Sequence, residues 1–365
     1  MIKLLDLYGQ YKEIQKEMDD AIARVIQRSA FIGGEDVAAF EKEFAAYQQA
    51  DHCVGVANGT DAIEIVLEAL ALPRGCEVIV PANSFIASSE AVTRQGYRVI
   101  FADVDPVSYT LDPIDVRRRI TNKTSAVIAV HLYGHPCRME ELLALCGEFG
   151  LKLVEDCAQA HGAEYKGKRL GTFGEAGTFS FYPGKNLGAY GDAGAIITNH
   201  ADLAKKCRMI ANHGRTGKYD HQFEGRNSRL DGLQAAVLRV KLPHLDGWID
   251  RRNKIAAAYN AHLKHVSQLA VPSVQASCRH AFHLYVVRTE RRDELAEFLN
   301  EKGIQSGVHY PIALPKLAAY DYLGQAAEPM FANRSDSTLL SLPIGDHLSE
   351  EDALEVVAAV KAFFD

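Results

Sequence analysis

Two residues of this 365-residue chain stand in contexts suited to covalent and acid–base chemistry. Lys185 lies in TFSFYPGKNLGAYGDAG (178–194), where a strand-like aromatic run opens into a glycine-rich loop. Asp156 closes the apolar run LKLVED and precedes the small residues CAQAHGA. A lysine amine can hold an aldehyde as a Schiff base, and a carboxylate can keep a pyridine nitrogen protonated. The pair therefore predicts a pyridoxal phosphate site.

The electrostatics of such a site favour both residue types. A carboxylate beside a pyridinium ring is stabilised as the anion, so Asp156 would form an ion pair with the bound cofactor. Burial beside a cationic ring favours the neutral amine that Lys185 needs in order to react. Taken alone, Lys185 also fits a solvated loop lysine and Asp156 a helix cap, and only their joint context favours the site.

A phosphate site is predicted at the start of ANGTDAIEIVLEAL (57–70), whose apolar residues recur at helical spacing. Gly59 and Thr60 would lie at the helix N-terminus, where free backbone N–H groups and the helix dipole favour an anion. An ordinary N-cap by Asn58 or Thr60 is the alternative interpretation.

Two further residues fit the same cofactor. The alternation in TFSFY places Ser180 on the face opposite Phe179 and Phe181, where its hydroxyl could reach the phosphate. Phe85 in VIVPANSFIASSEAV lies just past a strand end and could stack on the cofactor ring. Each residue on its own also fits simple packing in the core.

The elements that position these residues alternate between short apolar runs and helical stretches from about residue 53 to 197. This rhythm predicts a mainly parallel sheet covered by helices, with ligands at the carboxyl ends of the strands, where Asp156 lies. Helical spacing then continues to about residue 264, followed by a strand-like FHLYVVR and a final helix. We predict a large domain over 1–245 and a smaller C-terminal α/β domain over 246–365.

Seven segments resemble, in order, the sugar aminotransferases of the DegT/DnrJ/EryC1/StrS family: ANGTDAIEIVLEAL, PANSFIASSEAV, VHLYGHP, VEDCAQAHGA, FSFYPGKNLGAYGDAGA, NSRLDGLQAAVLRVKL and GVHYP. The resemblance covers nearly the whole chain. It implies the type I aminotransferase fold, with a mainly parallel seven-stranded sheet. PGKNLG and NSRLDGLQAAVLRVKLPHLDGW most resemble the subgroup that makes 3-amino-3,6-dideoxyhexose nucleotides.

The resemblance implies a role for each matching residue. Lys185 would be the catalytic Schiff-base lysine, Asp156 the partner of the ring nitrogen and Gln159 a contact of the ring oxygen. Asn227 would reach the cofactor of the neighbouring subunit, which makes the active unit a homodimer with shared sites. The other expected cofactor contacts are Gly59, Thr60, Phe85 and Ser180, and the expected substrate contacts are Tyr182, Arg215, Lys218, His309 and Tyr310.

The implied activity is the pyridoxal 5′-phosphate-dependent transfer of an amino group from L-glutamate to C3 of a nucleotide-linked 3-keto-6-deoxyhexose, with dTDP as the expected nucleotide. Amination at C4 of a 4-keto sugar nucleotide and amination of a UDP-linked 3-keto sugar acid are the enzymatic alternatives. A catalytically inactive, ligand-sensing regulator is the alternative from another class.

The chain departs from the family pattern at two positions. Ala193 replaces a usual glycine, and Cys157 replaces the commoner alanine after Asp156. Neither change removes a functional group, although alanine tolerates positive φ poorly. Relatives that perform dehydration carry histidine at the lysine position, so Lys185 argues against that reaction.

Composition excludes several other classes of function. The net charge of −7 argues against a nucleic-acid-binding surface. The charged N-terminus argues against a signal peptide, no segment is typical of a membrane span, and seven cysteines without a CxxC pair indicate reduced thiols in the cytoplasm. His131 and His135 are four positions apart, but Gly134 and Pro136 oppose the helical turn that would bring both onto one face. We therefore expect no metal site there.

Overall fold

The computed structural model describes residues 1–365 as an α/β protein. Its strands are β1 His52–Val56, β2 Glu77–Pro81, β3 Arg98–Ala102, β4 Thr124–Val130, β5 Lys152–Asp156, β6 Glu164–Tyr165, β7 Lys168–Arg169, β8 Ala176–Ser180, β9 Gly194–Thr198, β10 Cys278–Arg279, β11 Tyr285–Arg288 and β12 Leu339–Leu342. Its α-helices are α1 Leu7–Glu13, α2 Gln15–Arg28, α3 Glu35–Tyr47, α4 Gly59–Leu70, α5 Ala87–Arg94, α6 Pro113–Arg119, α7 Met139–Phe149, α8 Ala201–Ala211, α9 Gly232–Lys241, α10 Leu245–Leu263, α11 Arg292–Glu301, α12 Phe331–Ser335 and α13 Glu350–Phe364.

The main sheet has seven strands in the order β1-β9-β8-β5-β4-β2-β3. The pairs from β8 through β5, β4 and β2 to β3 are parallel, whereas β9 runs antiparallel to both β8 and β1. The prediction of a mainly parallel seven-stranded sheet is therefore confirmed. Because β5 and β8 are parallel neighbours, Asp156 and Ser180, their last residues, lie at the same edge of the sheet.

Hydrophobic residues on both faces of the sheet explain why helices cover it on two sides. On β2, Val78 and Val80 belong to one buried apolar cluster, whereas Ile79 belongs to another. Successive side chains of a strand point to opposite faces, so a continuous apolar run requires cover on both. The short apolar runs of the sequence are the fully buried strands of an α/β sheet.

A second core lies in the C-terminal part of the chain, where β11 and β12 form a two-stranded antiparallel sheet. Helix α10 contributes to both cores: Leu245 and Ile249 pack in the large-domain cluster, whereas Ile255 and Tyr259 pack in the C-terminal one. The N-terminal Ile2 also packs in the C-terminal core. The division into 1–245 and 246–365 stays a prediction, since one continuous helix spans the two cores.

The seven cysteines are all free thiols, and six of them are buried. None of the helices is both long enough and apolar enough to pass through a bilayer.

Candidate active site

The strand end at Asp156 and the loop at Lys185 come together. Asp156 is buried and accepts hydrogen bonds from Ser88 Oγ at 2.7 Å and from the backbone N–H of Ala158 at 3.1 Å. Lys185 is partly buried in the loop that follows β8. Burial lowers the pKa of Lys185 to about 8, and the nearby Asp156 carboxylate opposes that shift. A substantial fraction of this amine is therefore neutral at mildly basic pH.

The three residues predicted to hold a phosphate meet at one corner. Helix α4 begins at Gly59, and its N-cap Asn58 accepts a hydrogen bond from Asp61 N at 2.8 Å. The N–H groups of Gly59 and Thr60 precede the first intrahelical bonds and have no acceptor within the helix. A Cβ added to Gly59 would lie 2.6 Å from the Cβ of Ser180, so only glycine lets α4 approach the end of β8 this closely.

Gln159, three residues after Asp156, is also buried. Its side-chain oxygen accepts from the backbone N–H of Tyr133 at 2.6 Å, and its amide nitrogen donates to the hydroxyl of Tyr310 at 3.1 Å. The ring of Tyr310 in turn lies 5.8 Å from the ring of Phe85, which is more than half exposed. Tyr310 thus connects Gln159 with Phe85, and the contact of Gln159 with a cofactor oxygen stays a prediction.

Three histidines surround Lys185 and were not all expected. His309, predicted at the sugar pocket, bonds through Nδ1 to Ser341 Oγ at 2.9 Å. Burial, and after it the charge of Lys185, lowers the pKa of all three histidines. The pKa of His309 is lowered, that of His161 falls to about 3, and that of His283 lies far below its ordinary value. All three imidazoles are therefore neutral and add no cationic charge beside the lysine. Sequence alone gave no signal for His283, which lies about a hundred residues from Lys185.

Four predicted residues stay at the surface of the single chain: Tyr182, Arg215, Lys218 and Asn227. Tyr182, Lys218 and Asn227 are exposed and Arg215 is partly so. Asn227 pairs through its backbone with Asn212, and Lys218 lies over the ring of Tyr219. None of these side chains donates a hydrogen bond to the cluster around Lys185, so their roles in substrate or cofactor binding remain predictions.

The structural role of Glu155, the acid before Asp156, was also missed from the sequence. Glu155 is fully buried and accepts from the backbone N–H groups of Gly171, Phe173 and Gly174 and from His131 Nε2. Burial would raise the pKa of Glu155, but the interaction with His131, followed by the backbone N–H groups of Gly174 and Gly171, outweighs it and holds the pKa below its ordinary value. The only sequence signal was the doubled acid in VED.

Glu155, His131 and Cys157 also bring three potential metal-ligand atoms within 4.8 Å of one another. His131 Nδ1 accepts from the backbone N–H of Cys137 at 3.0 Å, so its proton is on Nε2, which points to Glu155. Hydrogen bonds inside the protein thus already account for the orientation of the carboxylate and the imidazole. His135 is not part of this group, and its Nδ1 forms a hydrogen bond with the carbonyl of Pro136.

Together, the site offers an amine with a lowered pKa, a carboxylate with free acceptor capacity, a helix N-terminus with free N–H groups and a pair of aromatic rings. This set can hold a phosphorylated aromatic aldehyde and transfer protons at the lysine. Ser88, which bonds Asp156, was missed because nothing in its local sequence distinguishes it from a packed helix serine.

The chain is similar to known proteins over nearly its whole length. The profile of the DegT/DnrJ/EryC1/StrS aminotransferase family matches residues 12–361. A dTDP-3-amino-3,4,6-trideoxy-α-D-glucose transaminase of Streptomyces venezuelae is 44% identical over 99% of this chain and 95% of its own length. A dTDP-3-amino-3,6-dideoxy-α-D-galactopyranose transaminase of Aneurinibacillus thermoaerophilus is 43% identical over 100% of this chain and 99% of its own length. The crystal structure of S. venezuelae DesV in complex with a ketimine intermediate superposes with a TM-score of 0.97 at 43% identity, covering 100% of this chain and 98% of that one.

Proposed function

The chain belongs to the DegT/DnrJ/EryC1/StrS aminotransferase family, and from this premise we propose that it transfers an amino group from L-glutamate to C3 of a dTDP-linked 3-keto-6-deoxyhexose. The cofactor of the proposed reaction is pyridoxal 5′-phosphate. The observation that carries the proposal is the pairing of Lys185, with its pKa lowered to about 8, and the buried Asp156 at the end of β5. The choice of C3 and dTDP is supported by the names of relatives that align over nearly the whole chain.

The residues present fit the cofactor. Gly59 leaves a narrow corner beside Ser180 in which the N-terminus of α4 and two hydroxyls, those of Thr60 and Ser180, can hold a phosphate. Asp156 has one donor on each oxygen, which leaves acceptor capacity for a protonated ring nitrogen. Phe85 is exposed beside Tyr310 and can cover one face of the ring.

When bound, pyridoxal phosphate supplies an electron sink that makes the α-proton of an amino acid acidic. Lys185 holds the cofactor between turnovers and then serves as the base and acid that moves the proton, first from glutamate and later to the amino sugar. Its pKa near 8 suits both directions, because both protonation states are well populated at mildly basic pH. Asp156 keeps the ring nitrogen protonated, and the neutral histidines around Lys185 leave the amine without cationic neighbours.

The proposed substrates are both anionic, so basic groups at the entrance are expected to bind them. Arg215 and Lys218 lie on the exposed segment between α8 and α9, and we assign them to the diphosphate or to the donor carboxylates. Asn227 in the same segment is exposed in the single chain, which fits the proposal that it reaches the cofactor phosphate of a second subunit. Seven free thiols favour a reducing compartment, the cytoplasm, as the site of action.

The decisive experiment distinguishes the sugar position. Protein loaded with pyridoxal phosphate is titrated separately with dTDP-linked 3-amino-3,6-dideoxyhexose and 4-amino-4,6-dideoxyhexose, and the visible absorption band of the bound cofactor is followed. Loss of the band with the 3-amino sugar alone supports the proposal. Loss with the 4-amino sugar alone moves the amination to C4, and a UDP-linked 3-amino sugar acid tests the remaining substrate. Retention of the band with all three, together with no turnover of glutamate, would favour a ligand-sensing protein.

The shared site is tested by complementation between two inactive variants. Lys185→Ala and Asn227→Ala chains are mixed under conditions that exchange subunits, and mixed dimers are isolated by two affinity tags. If Asn227 serves the neighbouring site, one site of each mixed dimer combines an intact lysine with an intact asparagine, and activity returns. Verified mixed dimers without activity would rule out this arrangement.

A further inference from the structure

Asp156 is the end of a line of three buried polar side chains, which continues through Ser88 to Ser84. Ser84 Oγ lies 2.8 Å from Ser88 Oγ, and Ser88 Oγ lies 2.7 Å from Asp156 Oδ2. Ser88 is only 1% exposed and Ser84 and Asp156 are each 4% exposed. Both hydrogen bonds are therefore shielded from water. In the protein interior they are electrostatically stronger than they would be on the surface.

The carboxylate of Asp156 determines which hydroxyl donates in each of the two hydrogen bonds. An ionised carboxylate only accepts, so the single hydroxyl proton of Ser88 points to Asp156. Ser88 Oγ must then accept from Ser84, whose proton points to Ser88. The two serines form a donor chain that fits the anionic form of Asp156.

The donors on Asp156 also set its orientation. Oδ2 receives Ser88 and Oδ1 receives the backbone N–H of Ala158 at 3.1 Å, so the carboxylate is held at both oxygens. Each oxygen keeps a second lone-pair site for a cationic N–H group. The side chain is thus fixed in advance, and a ligand does not have to immobilise it.

The same short segment also carries Phe85, the residue proposed to cover one face of the cofactor ring. Phe85 lies between Ser84 and Ser88 in the sequence and is exposed toward Tyr310. Ser89, the residue after Ser88, is equally buried but does not contact Asp156. Its hydroxyl donates to the carbonyl of Ile86 and accepts from the hydroxyl of Tyr320. Adjacent serines of one helix therefore have separate partners, which provides a matched control.

We propose that Ser88, oriented by Ser84, is a positioning residue that holds Asp156 as a fixed anionic acceptor for the ring nitrogen of pyridoxal phosphate. This inference rests on the proposed function. Ser88 acts through Asp156 and has no role in binding either substrate.

The test compares Ser88→Ala, Ser84→Ala and Ser89→Ala. Cofactor-free protein is titrated with pyridoxal phosphate to obtain its dissociation constant, melting temperature is measured without cofactor, and kcat and KM are measured for the loaded enzymes. Ser88→Ala should weaken cofactor binding about tenfold, as expected for one hydrogen bond to a charged group. Its kcat should fall by about as much while KM changes less than about twofold, because Ser88 contacts no substrate.

The controls separate positioning from packing. Ser89→Ala should lower the melting temperature of the cofactor-free protein about as much as Ser88→Ala, because each loses a buried hydrogen bond, yet keep cofactor affinity and kcat. Ser84→Ala should lower cofactor affinity and kcat by about two- to threefold, a smaller change than in Ser88→Ala. It removes only the hydrogen bond from Ser84 to Ser88 and leaves the one from Ser88 to Asp156. This variant also decides the matter if Ser88→Ala does not fold.

Two results would overturn the inference. If Ser88→Ala, or Ser84→Ala in its place, matches Ser89→Ala in cofactor affinity and kcat, the serines only pack and Asp156 needs no positioning. If the unmodified chain fails to bind pyridoxal phosphate, the proposed function fails and this inference fails with it. The first result leaves the aminotransferase assignment intact, so the two failures are distinguishable.

Discussion

Two consecutive carboxylates at the end of β5 differ sharply in what surrounds them. Glu155 accepts four hydrogen bonds, three from backbone N–H groups of the segment 171–174 and one from His131. Asp156 points to the other face of the sheet and accepts only two, from Ser88 and Ala158. Glu155 is 0% exposed and Asp156 is 4% exposed, so burial does not distinguish them.

The difference lies in unused acceptor capacity. A buried carboxylate is stable only when donors compensate for lost water, and Glu155 is compensated completely by its own fold. Asp156 keeps lone-pair sites that no protein group fills, next to an amine with a lowered pKa. A buried acid whose partners are complete serves the fold, whereas one left incomplete beside a reactive group serves a ligand. Substitutions at the two positions should therefore have opposite effects.

The largest effect is expected from Asp156→Asn. The amide keeps the size of the side chain but cannot form an ion pair with a protonated ring nitrogen, so kcat should fall by a hundredfold or more, on the order of 3 kcal/mol. The melting temperature of the cofactor-free protein should change little. Steady-state kinetics and thermal unfolding on the same preparation test both statements, and a variant with a normal rate would remove the proposed role of Asp156.

Glu155→Gln should reverse that pattern. An amide must direct its NH₂ group toward at least one of the four donors, which leaves buried groups unpaired and costs about 3 kcal/mol of unfolding free energy. Urea unfolding without cofactor measures the loss. The fraction that remains folded should keep a cofactor affinity within a few-fold of the original. Unchanged stability would contradict the structural role of Glu155.

The pH dependence of this loss sharpens the contrast. The pKa of Glu155 in the folded protein lies below its ordinary value of 4.5, so the stability it contributes is present above that value and is lost as the pH falls through the lowered pKa. The difference in unfolding free energy between the original chain and Glu155→Gln should therefore shrink below about pH 4.5. A constant difference down to pH 3 would mean that the carboxylate is not held as an anion.

The smallest expected effect concerns Lys185. Only the neutral amine reacts with an aldehyde, so the rate at which cofactor-free protein takes up pyridoxal phosphate should rise with pH around a midpoint of about 8. Asp156→Asn removes the anion that raises the pKa of Lys185 and should shift the midpoint to lower pH. Glu155→Gln, on the opposite face, should leave it in place. Stopped-flow absorbance across about pH 6.5 to 9.5 provides the comparison. Equal shifts in both variants would show that the two acids act on the lysine alike.

Much of this contrast was visible in the sequence, but not all of it. The run LKLVED indicated a strand ending in acids, and TFSFY indicated that Ser180 faces away from the buried Phe179 and Phe181; both predictions are confirmed. The sequence assigned the site to Asp156 but gave no role to Glu155, because the backbone donors of Glu155 come from the distant segment 171–174. Ser88 was missed for the same reason, since its partner lies 68 positions away.

By itself, the sequence determined the alternation of strands and helices, the helix start at Gly59 and the presence of one lysine and one aspartate in contexts suited to pyridoxal chemistry. These features depend on periodicity, capping and residue type, which are local properties. Only the tertiary structure decided that protein donors fill all the acceptor sites of Glu155 and leave some of those of Asp156 free. It also decided that Ser88 donates to Asp156 and that burial lowers the pKa of Lys185 to about 8. Desolvation and hydrogen-bond partnership depend on groups that are distant in the chain and meet only when the sheet and its helices assemble.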